Sequence, residues 1–211
     1  MIRNIIWDVD GTLFDTYPSF SKSFQLTLKE FGCDAPLDWI TKQALVSIDF
    51  CVKALAERFN LDEDAVGEKF SLYYSSTPAL DQPPFEGVIE ICKSITECGG
   101  KNLIVTHRRE GGLIELLNTF NLRQFFSGWT TGDEGYKRKP DPEAFLITLA
   151  THAITPNETL TIGDRDIDIL AGQAAGLKAF LIGDSISTCQ PDYIFNNFSQ
   201  LHDWLKNQNT S

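Results

Sequence analysis

Four short apolar runs rich in Ile, Val, Leu and Phe stand at residues 4–7, 102–105, 159–162 and 179–182, with stretches of helical spacing between them. That alternation constrains the fold more than any other feature, because a parallel neighbour strand can be reached only through a crossover long enough to hold a helix. The rhythm predicts a parallel α/β core. Each of the first three runs ends in a polar cluster, and ligands of open parallel sheets bind beyond the carboxyl ends of strands. The clusters can therefore meet in one crevice.

Between residues 15 and 84 the strand signal stops. Phe20, Phe24, Leu28 and Phe31 recur at helix-face intervals, and Ile48, Val52, Leu55 and Phe59 repeat the pattern. Asp62 can cap a third helix carrying Val66 and Phe70, and Pro83-Pro84 reads as a stiff return to the core. The expected organisation is a discontinuous α/β core of residues 1–14 and 85–211, with an all-helical cap domain at 15–84 inserted after the first strand. Val88, Ile91 and Ile95 mark a further helix, stopped by Gly99-Gly100.

The 18 Lys and Arg against 29 Asp and Glu leave a net charge of −11. Such a field repels nucleic acid and anionic membrane, so neither is expected as a partner, and a site for anionic ligands must gather its positive charge locally. The five cysteines, Cys33, Cys51, Cys92, Cys98 and Cys189, are odd in number and form no C-x-x-C pair. They read as reduced core residues. The first strand begins almost at the N-terminus, leaving no room for a signal peptide, and no apolar run reaches membrane-spanning length. The expectation is a cytoplasmic monomer or weak homodimer.

Four clusters carry chemistry. Asp8-Val9-Asp10-Gly11-Thr12-Leu13 follows the first apolar run; as an ordinary element it is a strand ending in an Asp-Gly turn. Residues two apart on a strand face the same side, so Asp8 and Asp10 can reach one reacting group while Gly11 lets the backbone approach it. Thr106-His107-Arg108-Arg109 follows the second run and precedes a helix marked by Leu113, Leu116 and Leu117. A Thr there is a favoured cap, and its hydroxyl with free N–H groups at a helix start also makes a phosphate cradle, to which His107 or Arg108 can add charge. Lys137-Arg138-Lys139 is the densest positive run in an acidic chain and precedes a helix starting near Pro142; Lys139 is the candidate phosphate contact. In Gly163-Asp164-Arg165-Asp166-Ile167-Asp168, acidic groups complement a helix N-terminus, and a helical first turn sets Asp164 and Asp168 on one face. Paired oxygens of that kind suit a hard cation.

Taken in this order, Asp8-Val9-Asp10-Gly11-Thr12, Thr106, Lys139, and Gly163-Asp164 with Asp168 resemble the haloacid dehalogenase-like hydrolase superfamily. The helical insertion resembles the small cap of its phosphatase branch, which includes phosphoglycolate phosphatase and β-phosphoglucomutase-like members. The resemblance covers nearly the whole chain. It implies a doubly wound α/β core and a Mg²⁺-dependent phosphatase of small phosphate esters, with Asp8 as nucleophile and Asp10 as general acid and base. It further implies that Asp8, the backbone carbonyl of Asp10, Asp164 and Asp168 serve the metal, and that Thr106, His107 and Lys139 hold the phosphoryl group. Asp10 separates the chain from dehalogenases, whose halide leaving group requires no acid. A phosphosugar mutase is the alternative within enzymes, and a silent metabolite-binding module the alternative outside them. In phosphoglycolate-phosphatase-like relatives a Gly-containing cap loop faces the active site, whereas residues 41–47 here contain no Gly.

Two carboxylates about 4 Å apart repel by about 4 kcal/mol even at an effective dielectric near 20. Four of them cannot be gathered around Lys139 alone. A divalent cation is therefore expected from the electrostatics of the motifs.

Overall fold

The computed structural model describes residues 2–183 and 188–208. Six strands form one fully parallel sheet: β1 (Asn4–Trp7), β2 (Asn102–Val105), β3 (Phe126–Thr130), β4 (Thr159–Gly163), β5 (Lys178–Ile182) and β6 (Tyr193–Phe195). Their spatial order is β3-β2-β1-β4-β5-β6. This is the doubly wound order, in which the chain turns back across the sheet between β1 and β4. Every residue of β1, β2 and β4 is buried, as strands covered on both faces must be. That is why β1 and β2 read as apolar runs rather than as alternations, while β4 alternates buried Thr159 and Thr161 with Leu160 and Ile162.

The chain divides into two compact units, one formed by Met1–Phe14 with Pro84–Ser211 and the other by Asp15–Pro83. In the first, the sheet is crossed by α5 (Val88–Glu97), α6 (Glu110–Thr119), α7 (Glu143–Thr151), α8 (Asp166–Ala174) and α9 (Phe198–Gln208). One apolar layer joins Ile6, Leu103 and Val105 of the sheet to Phe145 and Leu149 of α7 and Ala171 of α8. Elsewhere in the unit the Trp7 indole N–H donates to Asn102 Oδ1 at 3.0 Å, while the Asn102 amide donates to the carbonyl of Cys92 at 2.8 Å. These buried polar groups are thereby satisfied.

The second unit is helical: α1 (Tyr17–Glu30), α2 (Leu37–Val46), α3 (Ile48–Phe59) and α4 (Glu63–Ser75). Phe20, Phe24, Leu28, Leu55, Val66 and Phe70 form its core, with Phe24 and Phe70 stacked at 4.0 Å between ring centres. Asp62 Oδ1 accepts the Ala65 N–H at 2.9 Å, so α4 begins where its cap dictates. The α3 helix ends at Asn60, whose φ of 53° is the left-handed conformation Asn tolerates at a helix end.

The structure adds four strands and helices to those expected. β3, β6, α2 and α9 were not signalled as such. Two of the five β3 side chains are half-buried and one exposed, and β6 has only three residues, so neither carries a buried apolar run. α2 buries only Ile40 and Ala44, too few to print a helical period. The last acidic motif also differs in detail. α8 begins at Asp166, so Asp164 precedes the helix and does not share its first turn with Asp168. Their meeting arises from the loop, not from helical spacing.

Candidate active site

The ends of β1, β2 and β4 lie side by side, since Trp7 pairs with both Ile104 and Ile162. Asp8 extends β1 by one residue, its N–H donating to Ile162 O at 3.0 Å, and Thr106 extends β2, donating to Thr130 O at 3.0 Å. Asp8, Asp164 and Asp168 are all buried, and one carboxylate oxygen from each lies within 4.8 Å of the others. They meet where the strand order reverses.

After Asp8 the backbone turns sharply: Phe14 N–H donates to Val9 O at 3.0 Å and Gly11 N–H to Phe14 O at 3.0 Å. Gly11 has a φ of 80°, a conformation that a side chain would strain. At the end of β4, Gly163 lets α8 pack down, because a Cβ there would lie 2.3 Å from Cβ of Asp168. Glycine at 163 is thus what admits the second acidic residue.

Lys139 lies at the centre of the acidic cluster. Its ammonium donates to Asp8 Oδ1 at 2.6 Å, Asp168 Oδ1 at 2.5 Å and Val105 O at 3.0 Å. Those three bonds use all its hydrogens. Burial alone would pull the Lys139 ammonium down, but the charges of Asp168 and Asp8, with their hydrogen bonds, carry it above its ordinary value. Lys139 therefore stays cationic. Burial pushes Asp8 up to about 6, Lys139 opposing that rise and Asp168 adding to it.

The two oxygens of Asp8 are unlike. Oδ1 is bound to Lys139, whereas Oδ2 is buried and has no hydrogen-bond partner among the described residues. A buried lone pair of that kind is costly unless another group meets it. Three buried carboxylates, oxygen donors only, with one orphaned oxygen among them fit a hard divalent cation. Asp168 is committed elsewhere, since its Oδ2 accepts the Arg165 N–H at 3.3 Å while Oδ1 holds Lys139.

Asp10 does not join this cluster through its side chain. Its Oδ1 lies 2.5 Å from Nη2 of Arg108, whose side chain is only 9% exposed. Thr106 Oγ1 accepts the Arg108 N–H at 3.1 Å, a bond that leaves the hydroxyl hydrogen itself unspent. His107 faces the Lys139 loop, its Nε2 accepting the Lys139 N–H at 2.9 Å. Burial, followed by the charges of Lys139 and Arg138, lowers His107 to about 3, so the ring is neutral. As a neutral acceptor for the Lys139 backbone it adds no charge for a phosphate.

The structure thus brings Asp8, Lys139, Asp164 and Asp168 together and sets Asp10 beside them. Arg108, offered by the sequence as a source of charge beside Thr106, pairs with Asp10, a partner that the motifs did not point to.

The haloacid dehalogenase-like hydrolase model matches residues 5–182. The chain belongs to the haloacid dehalogenase-like hydrolase family. A phosphoglycolate phosphatase of Aquifex aeolicus is 31% identical to this hydrolase, over 85% of the chain and 84% of the relative. A pyrophosphatase of Halalkalibacterium halodurans is 29% identical, over 96% of each chain. Among solved structures, a predicted phosphoglycolate phosphatase of Haemophilus somnus superposes with a TM-score of 0.84 at 19% identity. It covers 97% of this hydrolase and 98% of its own chain, a likeness of fold. Among the described residues, no helix is long and apolar enough to cross a membrane.

Proposed function

We propose that the chain is a Mg²⁺-dependent phosphatase of small phosphorylated metabolites, acting through a phosphoryl group carried on Asp8. The observation that carries this reading is the unlike pair of oxygens on Asp8, one tied to Lys139 and the other orphaned within a buried acidic cluster. An oxygen of Asp8 attacks phosphorus while the bond to the leaving oxygen breaks, and Asp10 gives that oxygen its proton. Asp10 then takes a proton from the water that cleaves the acyl phosphate, which releases inorganic phosphate and restores the Asp8 carboxylate and the protonated Asp10. Thr106 donates its hydroxyl to a phosphoryl oxygen. Lys139 exchanges one of its present bonds for another such oxygen as negative charge moves off Asp8.

Asp8 and Asp164, with the backbone carbonyl of Asp10, would hold Mg²⁺, and Asp168 would keep Lys139 and the loop in place. When bound, the ion supplies charge neutralisation at the phosphoryl oxygens. General acid–base work contributes about 10²–10⁴-fold, far short of the ~10²¹ needed for the slowest phosphate monoesters. Positioning and electrostatics must dominate.

The matched relatives named phosphoglycolate phosphatase and pyrophosphatase favour compact, highly charged substrates. A screen of phosphorylated metabolites with Mg²⁺ or EDTA, run beside Asp8→Asn, tests the reading. Phosphate release is expected only with Mg²⁺ and to fall by at least ~10³-fold in the variant. Turnover that survives in Asp8→Asn would remove Asp8 as the nucleophile.

A further inference from the structure

The cationic group beside Asp10 has no part in the chemistry described above. Arg108 Nη2 lies 2.5 Å from Asp10 Oδ1 in a side chain 9% exposed. On the reading proposed above, on which this inference rests, Asp10 approaches the leaving oxygen within hydrogen-bond reach, about 2.6–3.2 Å. A donor one hydrogen bond beyond Asp10 is therefore roughly 5–6 Å from that oxygen. Within that distance falls whatever is attached one or two bonds past the scissile link.

The guanidinium is a planar, permanently charged fork of N–H donors, suited to carboxylate and phosphate oxygens alike. Lys139 is taken up by Asp8, Asp168, Val105 and, on the same reading, the phosphoryl oxygen that replaces one of them, so its three hydrogens leave none for a further anion on the leaving group. In a chain of net charge −11, an anionic leaving group meets repulsion unless a cation awaits it. A neutral leaving group has nothing to offer that cation.

We propose that Arg108 is the specificity-determining residue of this site, selecting phosphate compounds whose leaving group carries its own anion close to the scissile oxygen. A carboxylate one carbon away and a second phosphate both meet that description. Arg108 binds this anion with N–H groups of the same fork that holds Asp10, so the leaving group is read at the point where its proton is delivered.

The test compares kcat/KM of the wild type, Arg108→Gln and Arg108→Lys on 2-phosphoglycolate, pyrophosphate and ethyl phosphate, with Mg²⁺. The first two leaving groups are anionic and the third is neutral. The wild type should prefer an anionic leaving group over ethyl phosphate. Arg108→Gln should reduce that preference by about 10- to 100-fold, the range of a lost charge-assisted hydrogen bond. Residual turnover of ethyl phosphate reports that the variant is folded. Arg108→Lys, which keeps the charge and loses the fork, should recover part of the preference and carries the same test if the glutamine variant does not fold. A collapse confined to 2-phosphoglycolate or to pyrophosphate supports the proposal and names the anion as carboxylate or phosphate. An equal fall on all three compounds overturns it, leaving Arg108 to position Asp10 alone. So does a wild type indifferent to the leaving group's charge. If the wild type releases phosphate from none of the three and from nothing in the broader screen, the phosphatase reading itself fails, an outcome distinct from either of these.

Discussion

Asp8 carries two demands that pull apart. In the proposed roles of nucleophile and metal ligand it must be a carboxylate, yet burial raises it to about 6 against the opposing charge of Lys139. A cation that binds only the ionised form must then displace a proton at acidic pH. Calorimetric titration of Mg²⁺ in buffers of different ionisation enthalpy should show about one proton released per ion near pH 5 and almost none near pH 8. Apparent affinity should weaken by up to about tenfold per pH unit below 6. Proton release that is nil at both pH values would mean Asp8 is already ionised in the metal-free protein. At this same scale the motifs were legible because their residue types are unusual together: Asp8 and Asp10 two apart, Lys139 in a basic run, Asp164 before an acidic helix start. The Arg108–Asp10 pair was not legible. It joins residues 98 apart, and nothing in a Thr-His-Arg-Arg run tells which cation turns inward.

At the scale of elements, strands buried on both faces wrote themselves into the sequence, and edge elements did not. β1, β2 and β5 contain nearly continuous apolar runs and β4 is buried throughout, whereas β3 and β6 take their strand conformation from pairing with β2 and β5. The helices of the second unit that carry aromatic faces were visible for the same reason, and α2, with two buried residues, was not. The join between β4 and α8 is where an element decides the site. Replacing Gly163 by alanine sets a methyl 2.3 Å from Cβ of Asp168, an atom rooted in the helix backbone and unable to swing away. Overpacking of this kind costs about 1–3 kcal/mol and moves Asp168 off Lys139. Gly163→Ala should therefore lower both the melting temperature and Mg²⁺-dependent turnover, the latter by at least ~10-fold. Wild-type values for both would show that α8 can shift without disturbing the cluster.

At the scale of the whole molecule, stability in EDTA should depend on pH through two groups, the buried Asp8 and the half-buried His107, that act in opposite senses. Asp8 is raised from 3.8 to about 6, so between those values the folded state holds a proton that the unfolded chain has lost. Its contribution is complete below pH 4 and disappears as pH climbs through 6, at up to about 1.4 kcal/mol per pH unit. His107 is lowered from 6.5 to about 3, so over that range the unfolded chain takes a proton that the folded ring refuses. Its contribution is complete above pH 6.5 and is lost as pH falls towards 3. The two slopes oppose one another between pH 4 and 6, and the wild type conceals both. Single variants separate them, because terms shared by the two proteins cancel in the difference. Relative to wild type, Asp8→Asn should become progressively more stable as pH rises from 4 to 6, and His107→Gln progressively less stable over the same interval. Urea unfolding midpoints in EDTA at half-unit steps measure both differences. Mg²⁺ should abolish the first trend, since the ion holds Asp8 ionised, and leave the second in place, since His107 bonds the backbone N–H of Lys139 and no carboxylate of the cluster. Differences that run parallel, or that ignore pH altogether, would show that burial does not govern the charge of these two side chains.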